Sequence, residues 1–323
     1  MGNYTTLWVK DFHGNDENFA YYFLQTLHLE QYDCGSANPT LNRNHIHELP
    51  ISYPSLPTQK KIAAILSAYD DLIENNTRRI KILEEMAQTL YHEWFVKFRF
   101  PGQEHTKMVD SELGLIPEGW EVKKLEELGL LARGKSKHRP RNDPSLYGGD
   151  YPFIQTGEVK EAYLYITDYS QTYNEKGLSQ SKIWQSGTLL ITIAANIAET
   201  AILTFPACFP DSIVGFVADS NRVSVEFIKY SIDVIKLRMQ NVSRGTTQDN
   251  LSLEKIRIFY FLVPAQEIMQ LFIKITSPMF SQMKNLLMKN SNLRQTRDLL
   301  LPKLISGEID VEHLEITTED IAA

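Results

Sequence analysis

Two cysteines in 323 residues, Cys34 and Cys208, stand far apart and isolated. A disulfide framework and a thiolate metal site both need clustered cysteines, so neither is expected. The eight histidines fall at no zinc-finger or HExxH spacing, and no structural metal is expected. No run of about 18 apolar residues occurs, which excludes a membrane-spanning helix. The opening MGNYTTLWVKDF has neither a charged leader nor an apolar core, so the expected location is the cytoplasm. Neither GxGxxG nor an NPPY- or DPPY-like motif is present, and no methyl-donor site of the chain's own is expected.

Proline and glycine are absent from all of Thr58–Phe100, an unbroken run several times longer than an average helix. Apolar side chains recur there at Ile62, Leu66, Tyr69, Ile73, Ile80, Leu83, Met86, Leu90 and Trp94. Spacings of three and four keep them on one helical face. At ~1.5 Å per residue the helix is roughly 60 Å long and needs a helical partner. Ala265–Leu301 supplies one, with Ile268, Phe272, Ile275, Met279, Met283, Leu286, Leu293 and Leu300 in the same period. Pro278 is expected to kink or break it. Asn76 and Asn290 sit in the two apolar seams, where a buried amide pair fixes the register of facing helices.

Between these helices, short β-rich runs alternate with turn residues: YPFIQTG, AYLYI, GTLLITIA, TAILTFP and SIVGFVA. They predict strands, followed by a helix over Ser224–Met239 and a last strand in IRIFYFLVP. Residues 1–57 predict a short strand at Thr6–Val9, a helix at Glu17–Leu29, a turn-rich stretch over Cys34–Asn44 and a strand in LPISYP. Fewer than 60 residues without a sheet of their own make a marginal unit.

An internal repeat ties the two ends together. Phe19-x-x-Tyr22, Gly35-Ser36, Leu41 and Leu56-Pro57-Thr58-Gln59 recur as Phe227-x-x-Tyr230, Gly245-Thr246, Leu251 and Val263-Pro264-Ala265-Gln266. The two glutamines stand 207 positions apart. A duplicated block in the same order predicts two antiparallel helices related by a pseudo-two-fold, each continuing from a globular domain. The strand-rich front half is present only in the second copy, so the first copy is expected to be truncated.

The net charge is −7, which opposes a generic nucleic-acid binder, but a DNA footprint needs only one basic surface. Arg133-Gly-Lys-Ser-Lys-His-Arg-Pro-Arg141 provides it: Arg133, Lys135, Lys137, Arg139, Arg141 and His138, with no acid among them. Arginine and lysine meet phosphates, and arginine reads guanine edges through its fork. Arg244, Thr246, Thr247 and Gln248 form a second candidate contact, with a structural turn as the competing reading. Gly129–Ser136 also satisfies GxxxxGK[ST], but KHRPRNDPSLYGG cannot supply the helix that an ATP-binding loop requires. Asp143, Asp150, Glu158 and Lys160 resemble the carboxylate–lysine set of a Mg-dependent nuclease, which is the alternative enzymatic reading. A helical scaffold without DNA binding is the third.

Pro117-Glu-Gly-Trp120, Tyr151–Gly157, Gly245–Leu251, the Pro-x-Gln entry to each long helix and the Trp94-Phe95 ending together resemble the DNA-specificity (S) subunit of type I restriction–modification enzymes. The resemblance implies an α+β fold: a strand-rich target-recognition domain plus two long antiparallel helices forming a coiled-coil-like spacer. It partitions the chain into 1–57 (remnant of a first recognition domain), 58–100 (central spacer helix), 101–117 (linker), 118–263 (complete recognition domain), 264–306 (second spacer helix) and 307–323 (acidic tail). It further implies a non-catalytic subunit that binds double-stranded DNA and docks methyltransferase (M) subunits and a motor–nuclease (R) subunit. S-adenosylmethionine, ATP and Mg then belong to those partners. The apparent truncation leaves a homodimer, a complementing S fragment or an inactive remnant as open readings.

Overall fold

The computed structural model describes residues 8–32, 41–243 and 251–315. In chain order the elements are α1 (Glu17–Gln25), α2 (Arg43–His47), α3 (Leu56–Tyr91), β1 (Met108–Ser111), β2 (Gly114–Pro117), β3 (Glu121–Lys124), β4 (Gly129–Arg133) and β5 (Tyr147–Phe153). They continue as α4 (Thr156–Glu161), β6 (Tyr165–Ile166), β7 (Gln171–Tyr173), α5 (Glu175–Ser179), β8 (Leu189–Thr192), β9 (Thr200–Leu203) and β10 (Ile213–Ala218). The last are α6 (Val225–Ser243), α7 (Leu253–Ile256), β11 (Tyr260–Val263) and α8 (Gln266–Ile305). Two compact units result, 1–78 with 289–323, and 79–288, and each long helix contributes to both.

In the first unit, Asp16 caps α1 by accepting the Phe19 amide at 2.9 Å. Phe19 and Tyr22, three apart and so on one face, are buried with Ile62, Ala63 and Leu66 of α3 and Leu304 of α8. Buried Gln59 joins these parts: its Nε2 donates to Asn15 Oδ1 at 2.8 Å and to Pro54 O at 2.9 Å. Its Oε1 accepts the Asp16 amide at 3.0 Å. Helix α3 starts at Leu56, two residues before its expected start. Pro57 is tolerated in the first turn, where its missing N–H has no intrahelical partner anyway.

The helices run antiparallel in this unit. Asn76 Nδ2 donates to Asn290 Oδ1 at 2.9 Å, and further toward the start of α3, Arg297 pairs with Asp70. Of the expected segments here, Thr6 and Leu7 lie outside the described residues, and Trp8 and Val9 join no strand. LPISYP forms no strand either. Its counterpart β11 exists by pairing with β3, and no such partner reaches LPISYP among the described residues.

The second unit is built on a five-stranded sheet in the order β4-β10-β8-β9-β6, antiparallel except for β6 beside β9. Leu189, Ile191 and Phe216 face one core and Leu190, Ala201 and Ile213 the other. Burial on both faces explains the continuous apolar runs in these strands. The expected 101–117 linker folds into the β1–β2 hairpin.

Helix α3 ends in a wider turn, His92–Val96, in which the Lys97 amide reaches back to His92 O. That turn buries both Trp94 and Phe95, and Phe95 meets the Phe227 and Phe272 rings at 5.0 Å each. Trp120 packs on Phe95, Phe98 and Phe100, fastening the start of β3 to the end of α3. Along the seam Ala87 is buried while Met86 is 50% exposed, so the stripe runs through Glu84, Ala87 and Tyr91 rather than through Met86. Helix α8 runs through Pro278, so the expected alternative of a break does not occur. The proline is exposed, so the carbonyl left without a donor one turn earlier is free to bond water.

The repeat is visible inside each unit. Phe227 and Tyr230 of α6 are buried as Phe19 and Tyr22 are. Gln266 Nε2 donates to Asn221 O at 3.0 Å, in the loop before α6, as Gln59 does to Asn15 before α1.

Candidate nucleic-acid interface

The basic loop leaves the sheet at its edge strand, β4. Gly134 donates to Ile213 O at 2.8 Å and Lys135 to Phe209 O at 3.0 Å, so the loop is stitched to the segment entering β10. The approach is so close that a Cβ on Gly134 would lie 2.3 Å from Pro210 O, which only glycine permits. Ser136 is buried, and Ser181 Oγ donates to Lys135 O at 2.7 Å. The GxxxxGK[ST] stretch is therefore an edge strand followed by a packed loop, not a strand-to-helix phosphate cradle.

Alternation then turns the cations outward. Arg133, Lys135, Lys137, Arg139 and Arg141 are exposed and His138 is half-buried. Asp211, in the segment entering β10, pairs with Arg139 at 3.4 Å and also with Arg141. Arg139 Nη1 additionally donates to Ser136 O at 2.7 Å and His138 O at 2.8 Å. These two guanidiniums are held in place, whereas Arg133, Lys135 and Lys137 have no ion-pair partner among the described residues. His138 Nε2 lies 2.8 Å from Asp143 Oδ2. The Asp143 carboxyl is held down to about 2, chiefly by the Ser145 amide, then by the Ser145 hydroxyl and by His138. Arg244, Thr246, Thr247 and Gln248 lie outside the described residues.

Beside this loop opens a cleft of about 680 Å³, lined among others by Arg141, Asn142, Gln155, Gln171, Ala195 and Ser212. Sequence reasoning did not single out these positions, apart from Arg141. They come from five separate segments that only the fold brings together. The available signal was YPFIQTG, whose Phe153 and Ile154 are buried anchors and whose next residue, Gln155, is exposed.

The nuclease reading fails on Glu158. One carboxylate oxygen accepts the Gln155 amide at 2.6 Å, and the other accepts the Ser170 amide at 2.9 Å and Ser170 Oγ at 2.7 Å. Its acceptor capacity goes to capping α4 and bracing the start of β7. No group of three His, Cys, Asp or Glu side chains able to hold a metal occurs among the described residues. No helix among them is long and apolar enough to cross a membrane.

A strand-rich domain together with two long helices is the mixed α+β fold expected from the sequence. The chain belongs to the type I restriction modification DNA specificity domain family, whose model matches residues 2–85 and 117–293. The type I restriction enzyme MjaIX specificity subunit of Methanocaldococcus jannaschii is 30% identical over 320 residues, covering 92% of this chain and 70% of that protein. The HindI specificity subunit of Haemophilus influenzae is 24% identical over 331 residues, covering 84% and 71%. Among solved structures, the type I restriction-modification S subunit from M. genitalium shares the fold, with a TM-score of 0.57 at 17% identity over 93% of this chain and 73% of that one. A specificity subunit is the non-catalytic, DNA-recognising component of its system.

Proposed function

We propose that residues 118–263 form a target-recognition domain that reads one half-site of a bipartite duplex sequence. The observation that carries this is the exposed row Arg133, Lys135, Lys137, Arg139 and Arg141 on a loop fixed to the sheet edge, beside a cleft lined by amide and guanidinium groups. Phosphate contacts from the lysines position the domain, and side chains of the cleft meet base edges. Arg244, Thr246, Thr247 and Gln248 are further candidate DNA contacts in this reading.

The helices 58–100 and 264–306 act as the spacer that sets the distance between half-sites, with Asn76 and Asn290 fixing their register. Residues 1–57 are the end of a first recognition module, 101–117 connects helix to domain, and 307–323 is an acidic tail. The other half-site is read by a second recognition module, supplied by a second copy of the chain or by a complementing specificity fragment. Methyltransferase subunits dock on the helices and a motor–nuclease subunit joins them in the cytoplasm. S-adenosylmethionine, ATP and Mg are bound by those partners.

Titration of labelled duplex DNA with the full chain, alone and with methyltransferase subunits, tests the reading. Binding should weaken steeply and linearly on a log–log plot against salt, and the methyltransferase should co-elute with the chain on size exclusion. Salt-independent binding, or Mg-dependent cleavage by the chain alone, would contradict it.

A further inference from the structure

The cleft beside the basic loop holds an arrangement that phosphate binding leaves unused. Gln155 follows β5 and Gln171 opens β7, and the two strands pair so that Phe153 lies opposite Gln171. Across that pairing Gln155 Nε2 donates to Gln171 Oε1 at 2.8 Å. Among the described residues the Gln155 carbonyl oxygen and the Gln171 amide NH₂ have no other hydrogen-bond partner, and both side chains are exposed. An acceptor on one glutamine and a donor on the glutamine bonded to it match the major-groove edge of adenine, which presents the N6 amino donor and the N7 acceptor.

Two exposed glutamines gain selectivity only if their backbones are held, because a free glutamine loses rotamer entropy on binding. Glu158 supplies that hold from beneath. It accepts the Gln155 amide at 2.6 Å through one oxygen and the Ser170 amide and hydroxyl at 2.9 and 2.7 Å through the other. One carboxylate therefore fixes Gln155 itself and the residue preceding Gln171. The facing wall is held too. Ala195 has φ +60°, a strained value for a residue with a Cβ, and the Thr192 hydroxyl ties its loop by donating to Asn196 O and accepting the Glu199 amide at 3.0 Å.

We propose that the Gln155–Gln171 amide pair reads an adenine of the half-site through its major-groove edge, and that Glu158 is the positioning residue that sets the pair. The proposal rests on the DNA-recognition reading and names the residues that give it base preference at one position.

The test is selection by the full chain from a pool of duplexes with a randomised core, followed by sequencing of the bound fraction. The wild-type chain should enrich one motif containing an adenine that disappears in Gln155→Ala and Gln171→Ala. Discrimination at that position alone should fall by about 10- to 100-fold, with the remaining motif intact. Glu158→Gln should weaken preference at the same position, whereas a purely structural loss would weaken every position together. Lys135→Ala, the control, should lower binding to all sequences and leave the motif unchanged. A wild-type chain that selects a motif which both glutamine variants reproduce at full strength would overturn the assignment alone. Uniform loss across the motif in those variants would do the same. A wild-type chain that selects no motif would overturn the underlying DNA-recognition reading with it.

Discussion

Asn76 and Asn290, 214 positions apart in sequence, meet side chain to side chain with Nδ2 of the first 2.9 Å from Oδ1 of the second. Both are buried. Asn290 Nδ2 also reaches Ile73 O at 3.3 Å and Thr77 Oγ1 at 3.2 Å. The pair is satisfied only when the two helices stand at this register. Replacing Asn76 alone with leucine strands the Asn290 carbonyl and should cost about 1–3 kcal/mol. Replacing both with leucine should recover that loss, because no buried polar group is left over. Urea unfolding of the two single variants and the double variant gives the coupling directly.

Glu84 is buried in the helix seam, accepting from Gln88 Nε2 at 3.0 Å. Burial raises its carboxyl above the ordinary 4.5, with Lys229 and Tyr163 pulling it partly back. A carboxyl raised in the folded state contributes stability that is complete below the unfolded value and lost as pH rises through the folded one. Glu84→Gln should therefore melt with the wild type near about pH 4 and above it at about pH 8. Equal melting temperatures at both pH values would show that Glu84 carries no such penalty.

Lys135 and Lys137 are exposed and assigned to phosphates. Each lysine replaced by alanine should reduce the slope of log affinity against log salt by about 0.9. Base preference should stay as it was. Anisotropy titrations at several salt concentrations separate this outcome from a general loss of folding.

Pro278 lies in the interior of α8 with its ring exposed. Pro278→Ala restores an amide donor and removes the steric clash, and should stabilise the chain by about 1–3 kcal/mol. Thermal melting measures this, and a fall in melting temperature would indicate that the proline sets a bend that packing requires.

The long-range organisation was legible because it is written twice. Phe19-x-x-Tyr22 and Phe227-x-x-Tyr230 are buried pairs in each unit, and Gln59 and Gln266 each bond the segment before the helix, the first buried and the second exposed; a repeat stands out where one motif would not. The strands were legible where both faces are buried, as in Leu189–Thr192. LPISYP carried the same local signal but lacks a pairing partner among the described residues, and strand formation depends on the partner. Met86 fits the apolar period, yet Ala87 lies in the seam, since a one-residue difference of 100° is beyond what spacing resolves over a long helix. Glu158 read as a catalytic carboxylate because sequence shows residue type and not where its lone pairs go. The cleft was least legible: Asn142, Gln155, Gln171 and Ser212 meet only through sheet pairing and loop packing.

The central claim is that residues 118–263 determine which bases are read while the long helices set spacing. The direct test replaces 118–263 with the corresponding segment of the HindI relative and reads the motif that each chain selects from a pool of randomised duplexes. The account predicts that the bases of the recognised sequence change and the distance between its halves stays the same. An unchanged motif, or a changed spacing with the same bases, would contradict it.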